Sequence, residues 1–130
     1  MPITFIHKQD LLSIKVVDPI KEGDFDEYTR NLNIIFGLQK QFYLLIDLTE
    51  LEEVPYKFII KQGLYMKRMQ KYVKKWVGAS SVVFRKPSTA NIINLAFSIK
   101  KPVKPNLITQ DLKEAIDFLT KHKESIINMD

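Results

Sequence analysis

The chain has 130 residues, an ordinary apolar content of 45% and a net charge of +5 at pH 7, and it contains no cysteine. This length suits one domain, which we expect to span residues 1–130, and the lack of cysteine excludes disulfides, thiolate nucleophiles and cysteine-ligated metals. The start of the chain lacks a signal-peptide pattern, and no apolar run approaches the roughly 20 residues of a membrane span. We therefore expect a cytoplasmic protein without a transmembrane segment, which can still lie peripherally on a membrane.

The charges are distributed unevenly along the chain. Residues 1–53 hold five Lys or Arg and ten Asp or Glu, residues 54–110 hold twelve and none, and residues 111–130 hold three and five. Such a cationic middle part attracts polyanions or an acidic surface. Alternatively, the acidic first part packs against the basic middle part, or subunits of a homo-oligomer pair acid to base.

The first half of the chain contains three strand patterns and one helix pattern. Residues 3–7 and 12–17 predict two short strands that can form a hairpin, and the apolar run at 42–48 predicts a central strand covered on both faces. Between them, Asp24 and Glu27 have the spacing of a capping box at the start of a helix. That helix would place four apolar residues on one face, namely Tyr28, Leu32, Ile35 and Phe36.

The second half alternates helices and strands. A helix over residues 56–76, admitted by Pro55 near its first turn, is followed by a strand at 77–84 whose small first residues would let a helix pack closely. Another helix is expected over 87–99, and a short strand over 106–109. The last helix, 111–122, has a capping-box pair and an apolar face, made of Asp111 and Glu114 and of Leu112, Ile116 and Leu119.

The predicted order ββαβαβαβα implies an α/β fold with a mixed, mostly parallel sheet. Three features carry a resemblance: this order, the strand "FYLLIDL" with Asp47 near its end and Thr49 after it, and the closing "NLITQDLKEAIDFL". With them the chain resembles the STAS domain, the SpoIIAA-like fold of anti-sigma-factor antagonists. The resemblance implies one domain with helices mainly on one face of the sheet. It also implies binding of proteins, nucleotides or lipids without catalysis.

One motif of the regulatory STAS domains is absent. In those members the strand resembling "IDLTEL" is followed by an Asp-Ser-Ser-Gly type motif in which a serine is phosphorylated. Here the corresponding segment reads "EEVPYKF" and has no serine, so the site falls near Tyr56 and Lys57. The chain is more similar to the SpoIIAA-like branch grouped with lipid-binding SEC14 domains, including the spacing from Ala115 to Leu119.

The helix over 56–76 combines an apolar face with a cationic one. At 100° per residue, the apolar stripe contains Phe58, Ile59, Tyr65, Met66, Met69, Tyr72, Val73 and Trp76, which we expect to pack on the sheet. The other face contains Lys57, Lys61, Lys67, Arg68, Lys71, Lys74 and Lys75. Ile60 and Leu64 lie among these cations, so either a neighbouring helix covers part of the face or it contacts an anionic, partly apolar partner.

A second candidate site lies where two strands end. Ligands of open α/β sheets bind at the carboxyl ends of the strands, and free backbone N–H groups at the start of a helix favour an anion. The candidate anion- or ligand-binding residues are Thr49, Arg85, Lys86, Ser88 and Thr89. The alternative is an ordinary helix cap by Ser88 or Thr89 with two solvated cations.

Three functions follow from these patterns. The leading hypothesis is a non-catalytic, STAS-like interaction module, without cofactor or metal, which binds an acidic protein or an anionic membrane through the basic surface of the helices over 56–76 and 87–99. A nucleic-acid-binding protein is the first alternative, in which Tyr65, Tyr72 and Trp76 would stack bases if they were exposed. The second is a small-ligand or lipid carrier, or an enzyme, with its site between Thr49 and Ser88.

Overall fold

The computed structural model describes residues 3–21, 23–52, 56–99 and 101–128. Within this part of the chain, five strands form one sheet in the order β1-β2-β3-β4-β5. The strands are β1 (Ile3–Lys8), β2 (Leu11–Val16), β3 (Phe42–Leu48), β4 (Val77–Phe84) and β5 (Asn106–Thr109). The helices are α1 (Asp24–Gly37), α2 (Tyr56–Arg68), α3 (Gln70–Trp76), α4 (Pro87–Ile99) and α5 (Leu112–Asn128).

The sheet is mixed, as the sequence predicted. β1 pairs with β2 in the antiparallel sense, and β2 to β5 are mutually parallel. The parallel part requires crossovers, which the helices between the strands supply. The predicted α/β class is therefore confirmed, and all carboxyl ends of β2 to β5 lie at one edge of the sheet.

The helix predicted over 56–76 is two helices. Met69, with φ of −96° and ψ of 8°, interrupts it between α2 and α3. In the predicted stripe, Ile59, Tyr65 and Val73 are buried, and Phe58, Met66, Met69 and Trp76 are half-buried against the core. Tyr72, beyond the interruption, is 49% exposed. The ring of Tyr72 lies 6.2 Å from that of Phe36 at the edge of the core. Pro55, which was expected near the start of this helix, lies outside the described residues.

The helices α1 to α4 cover one face of the sheet. Leu12, Ile14 and Val16 alternate along β2 and all point to this face, as the two-residue period of a strand requires. Aromatic rings join α1 to α2, with Phe25 and Phe58 in edge-to-face contact at 4.9 Å. The expectation of helices mainly on one face is therefore confirmed.

Among the described helices, only α5 packs on the opposite face. Ala115 and Ser81 are fully buried there, and the Ser81 hydroxyl donates a hydrogen bond of 2.9 Å to the Ala115 carbonyl. The predicted apolar face of this helix was wrong, because Leu112 and Ile116 are 46% and 41% exposed. Small Ala115 lets the helix approach β4 closely, so the side of the helix that carries Ala115 and Leu119 faces the sheet. Leu119 is buried, as predicted.

The two predicted capping boxes have different outcomes. Asp111 caps α5, because its Oδ1 accepts the N–H of Lys113 at 2.9 Å and that of Glu114 at 3.4 Å. At α1, however, the residue before the helix is Gly23, and Asp24 accepts the backbone N–H of Lys21 at 2.6 Å. Asp24 is thus the first residue of α1, and the capping box predicted there was wrong.

A bulge shapes the start of β4. Phe42 pairs with Val77 and Leu44 pairs with Ser80, so two residues of β4 lie opposite Tyr43. Gly78 is one of these two, and a Cβ atom at its position would lie 2.5 Å from Cε1 of the Tyr43 ring. The absence of a side chain at Gly78 therefore makes room for the buried tyrosine.

Candidate functional site

The loop after β3 holds Thr49 at the carboxyl edge of the sheet. Its N–H and its hydroxyl both donate to Oδ1 of Asp47, at 2.9 and 2.6 Å. This short-range turn is typical of an aspartate two residues before its partner. Thr49 thus orients the loop by binding the last part of its own strand.

The predicted cations after β4 contact a carboxylate of the same chain. Arg85 and Lys86 both form hydrogen-bonded ion pairs with Glu52, and the backbone N–H of Glu52 donates to the Asp18 carboxylate. The hydrogen bonds from Lys86 and then Arg85 lower the pKa of Glu52 below its ordinary value. At this edge the acidic first part of the chain therefore neutralises cations of the basic middle part, since Glu52 pairs with Arg85, which lies 33 residues later in the sequence.

Ser88 and Thr89 lie inside the first turn of α4. The helix begins at Pro87, and the N–H of Thr89 donates to the Lys86 carbonyl at 2.9 Å. Ser88 is exposed, whereas Thr89 is buried. The sequence placed one of these residues at the cap, but proline at the first helical position starts the helix earlier.

The cations of α2 and α3 have different surroundings from Arg85 and Lys86. All seven are exposed, and none belongs to an ion pair within the described residues, where the paired cations are Lys15, Arg85, Lys86 and Lys123. Three of the seven lie over aromatic rings of the chain: Lys61 over Phe25, Arg68 over Tyr65 and Lys75 over Trp76, at 5.9, 5.4 and 5.0 Å. The remaining four are Lys57, Lys67, Lys71 and Lys74.

The two apolar residues among these cations differ in exposure. Ile60 is half-buried, while Leu64 is 53% exposed. α2 lies between α1 and α4 in the helical layer, and it packs against both. The neighbouring helices therefore leave Leu64 uncovered, together with exposed Tyr56 at the start of α2.

A cavity of about 170 Å³ lies on the helical face of the sheet. Its walls come from β3 and β4 and from α1, α2, α3 and α4, and the exposed residues Lys101, Pro102 and Val103 mark the end that meets solvent. This cavity was not predicted from the sequence, since most residues that line it have the same apolar spacing as core residues. A sequence signal that points to it is the polar Gln62 within α2.

The mainly apolar wall also contains Gln70, Ser80, Asn106, Lys101 and Lys104, but the polar residue that stands out is Gln62 on α2. Its Oε1 is buried and has no hydrogen-bond partner among the described residues. Gln62 lies in the same wall as Tyr28, whose pKa is raised by burial.

The described residues hold no group of three or more histidines and carboxylates arranged to bind a metal ion. In the same part of the chain, none of the helices combines the length and apolarity that crossing a membrane requires.

Comparison with known proteins identifies the fold. No protein-family model and no curated protein matches the sequence. Among solved structures, the chain is similar to an uncharacterized protein of the DUF3478 family with a SpoIIAA-like fold from Shewanella loihica PV-4, with a TM-score of 0.62 and 20% sequence identity. The match covers 90% of this chain and 91% of that one. The resemblance to STAS domains is thus confirmed at the level of the fold, and the chain has the SpoIIAA-like fold.

Proposed function

We propose that this protein is a non-catalytic binding module that contacts an anionic membrane surface through α2 and α3. We call the contacting part the basic surface, which comprises Lys57, Ile60, Lys61, Leu64, Lys67, Arg68, Lys71, Lys74 and Lys75. The observation that supports it most is the pairing pattern: the cations after β4 are neutralised by Glu52, whereas no described carboxylate pairs with the cations of α2 and α3. α4 itself contains no lysine or arginine, so the surface is confined to α2 and α3.

Apolar residues among the cations favour a membrane over an acidic protein. Helices that lie on a membrane combine lysines with aromatic or aliphatic residues that enter the headgroup region. Leu64, Tyr56 and Tyr72 are exposed large apolar residues on α2 and α3. Each basic residue near an anionic surface contributes about 1 kcal/mol, so the four lysines without an aromatic partner would together strengthen binding by about 4 kcal/mol.

The nucleic-acid alternative has less support. Single-stranded nucleic acids stack their bases on exposed aromatic rings. Of the three candidate rings, Tyr65 is buried, Trp76 is half-buried and only Tyr72 is substantially exposed. Tyr56 is also exposed, but it lies at the start of α2 and Tyr72 lies in α3, so the exposed rings among the described residues form no continuous row for base stacking.

The test is co-sedimentation with vesicles of phosphatidylcholine, with and without phosphatidylserine, at low and physiological salt. We expect binding only to the anionic vesicles, and loss of binding in Lys67→Glu/Lys71→Glu. The matched control is Lys113→Glu/Lys121→Glu, which changes the net charge equally but on exposed positions of α5, across the sheet. Circular dichroism checks the folding of each variant.

Leu64→Ser tests the apolar part of the contact and should weaken vesicle binding without changing the fold. Equal loss of binding in both charge-reversal variants would show a nonspecific charge effect and contradict the proposal. Absence of vesicle binding at low salt would also overturn the proposal. In that case, retention of the protein on immobilised polyglutamate would indicate an acidic protein partner, and retention on immobilised oligonucleotides would indicate a nucleic acid.

A further inference from the structure

The cavity behind α2 is large for a protein interior. Cores are close-packed, and most of their voids are no larger than a water molecule. An apolar cavity of about 150 Å³ is known to stay dry and to take up benzene, so a volume of about 170 Å³ suits a single aromatic ring and is too small for a phospholipid. The size therefore restricts a ligand to a small molecule.

The wall of the cavity is apolar and rich in aromatic rings. Phe36, Phe42, Phe58 and Phe97 contribute rings, and the described lining residues include no aspartate or glutamate. Aromatic pairs are favourable in offset or edge-to-face arrangements, which a planar guest could adopt against these rings. A cationic ligand would find no carboxylate among the described lining residues and would meet Lys101 and Lys104. An uncharged aromatic molecule suits the apolar part of the wall.

Gln62 supplies a buried acceptor that has no partner among the described residues, and this acceptor can select among such molecules. Buried polar atoms in native proteins nearly always have a partner, and an exception indicates water or a ligand. The free Gln62 Oε1 accepts hydrogen bonds, so it calls for a donor within the cavity. Because Phe58 and Met66 lie one turn before and after it on α2 and also line the cavity, Gln62 faces the same space.

We propose that this cavity binds a small, uncharged aromatic molecule that bears a hydroxyl or N–H donor, with the donor directed at Gln62 Oε1. The ring would pack among the phenylalanines, and the donor would satisfy the acceptor that the protein leaves unpaired. This site is separate from the basic surface, which lies on the outer side of the same helix, and the proposal does not rest on the proposed function.

Phenol and benzene are the matched probes, because they differ by one hydroxyl. We expect phenol to bind, to raise the melting temperature and to shift the side-chain amide signals of Gln62 in nitrogen–proton NMR spectra. We expect benzene to bind about fivefold to tenfold more weakly, which is the usual value of one hydrogen bond.

Two variants separate the hydrogen bond from the cavity. Gln62→Met keeps the length of the side chain but removes the acceptor, and it should fold because it deletes an unpaired polar group; the preference for phenol over benzene should disappear. Ala96→Leu places a larger side chain in the cavity wall and should weaken both probes. Equal affinity of the folded wild type for phenol and benzene, no binding of either, or shifts remote from Gln62 would overturn the proposal.

Discussion

The close contact between Gly78 and Tyr43 leads to a quantitative prediction for Gly78→Ala. The new Cβ would lie 2.5 Å from Cε1 and 2.7 Å from Cζ of Tyr43. Carbon atoms pack best about 3.5–4.0 Å apart, so the ring or the strand must move by about 1 Å. Tyr43 is buried between β4 and α5, which leaves the ring little room to move.

The expected magnitude is a balance of two effects. Overpacking a core costs about 1–3 kcal/mol, while replacing glycine by alanine gains about 0.4–1 kcal/mol by restricting the unfolded chain. Gly78 does not have a left-handed φ, so alanine meets no backbone strain there. We therefore expect a net loss of about 1–2 kcal/mol in the free energy of unfolding, or about 4–8 °C in the melting temperature.

Urea and thermal unfolding would measure this loss, and two variants serve as controls. Gly37→Ala, where a Cβ meets no atom within 4 Å, should be neutral or stabilising. Tyr43→Val removes the obstructing ring, so adding Gly78→Ala to it should cost almost nothing. An unchanged cost of Gly78→Ala in the Tyr43→Val background would refute the steric explanation, as would a neutral effect in the wild type.

Two further predictions concern charged residues of the loops. The pKa of Glu52 should lie below its ordinary value in NMR titrations and should rise in Lys86→Met, because Lys86 stabilises the ionised form. Because folding lowers the pKa of Glu52, its pairing with Lys86 stabilises the fold above the ordinary pKa of a glutamate and loses this effect as the pH falls. The difference in unfolding free energy between the wild type and Lys86→Met should therefore narrow through the acid range. A constant difference would contradict this pairing. Asp111→Ala should lower the free energy of unfolding by about 1 kcal/mol through loss of the α5 cap, and Asp111→Asn should lose less. Equal losses in the two Asp111 variants would assign the effect to charge instead.

The basic surface and the cavity lie on opposite sides of α2. A ligand behind α2 that orders the helix would also order the residues on its outer side, since both sets belong to one rigid element. The two proposals nevertheless fail separately: charge reversal at Lys67 and Lys71 leaves the cavity intact, and Gln62→Met leaves the outer cations in place.

The sequence by itself determined the order of the strands and the type of each element, although it joined α2 and α3 into one helix. The apolar run at 42–48 and the alternation at 12–17 reflect burial on two faces and on one face, and such periodicity is a local property of the chain. The same argument predicted which side of α2 holds Tyr65 and which side holds the cations. These features depend on the spacing of neighbouring residues, which can be read without knowing their partners.

The tertiary structure decided which groups meet across the chain. Glu52 neutralises Arg85 from 33 positions away, and Ala115 brings a different side of α5 to the sheet than the larger residues of that helix suggested. The exposure of Leu64 depends on how far α1 and α4 extend over α2, and the cavity depends on how closely the helices approach the sheet. Each of these features is set by the packing of segments that are distant in the sequence, and the local periodicity of the sequence carries no information about that packing.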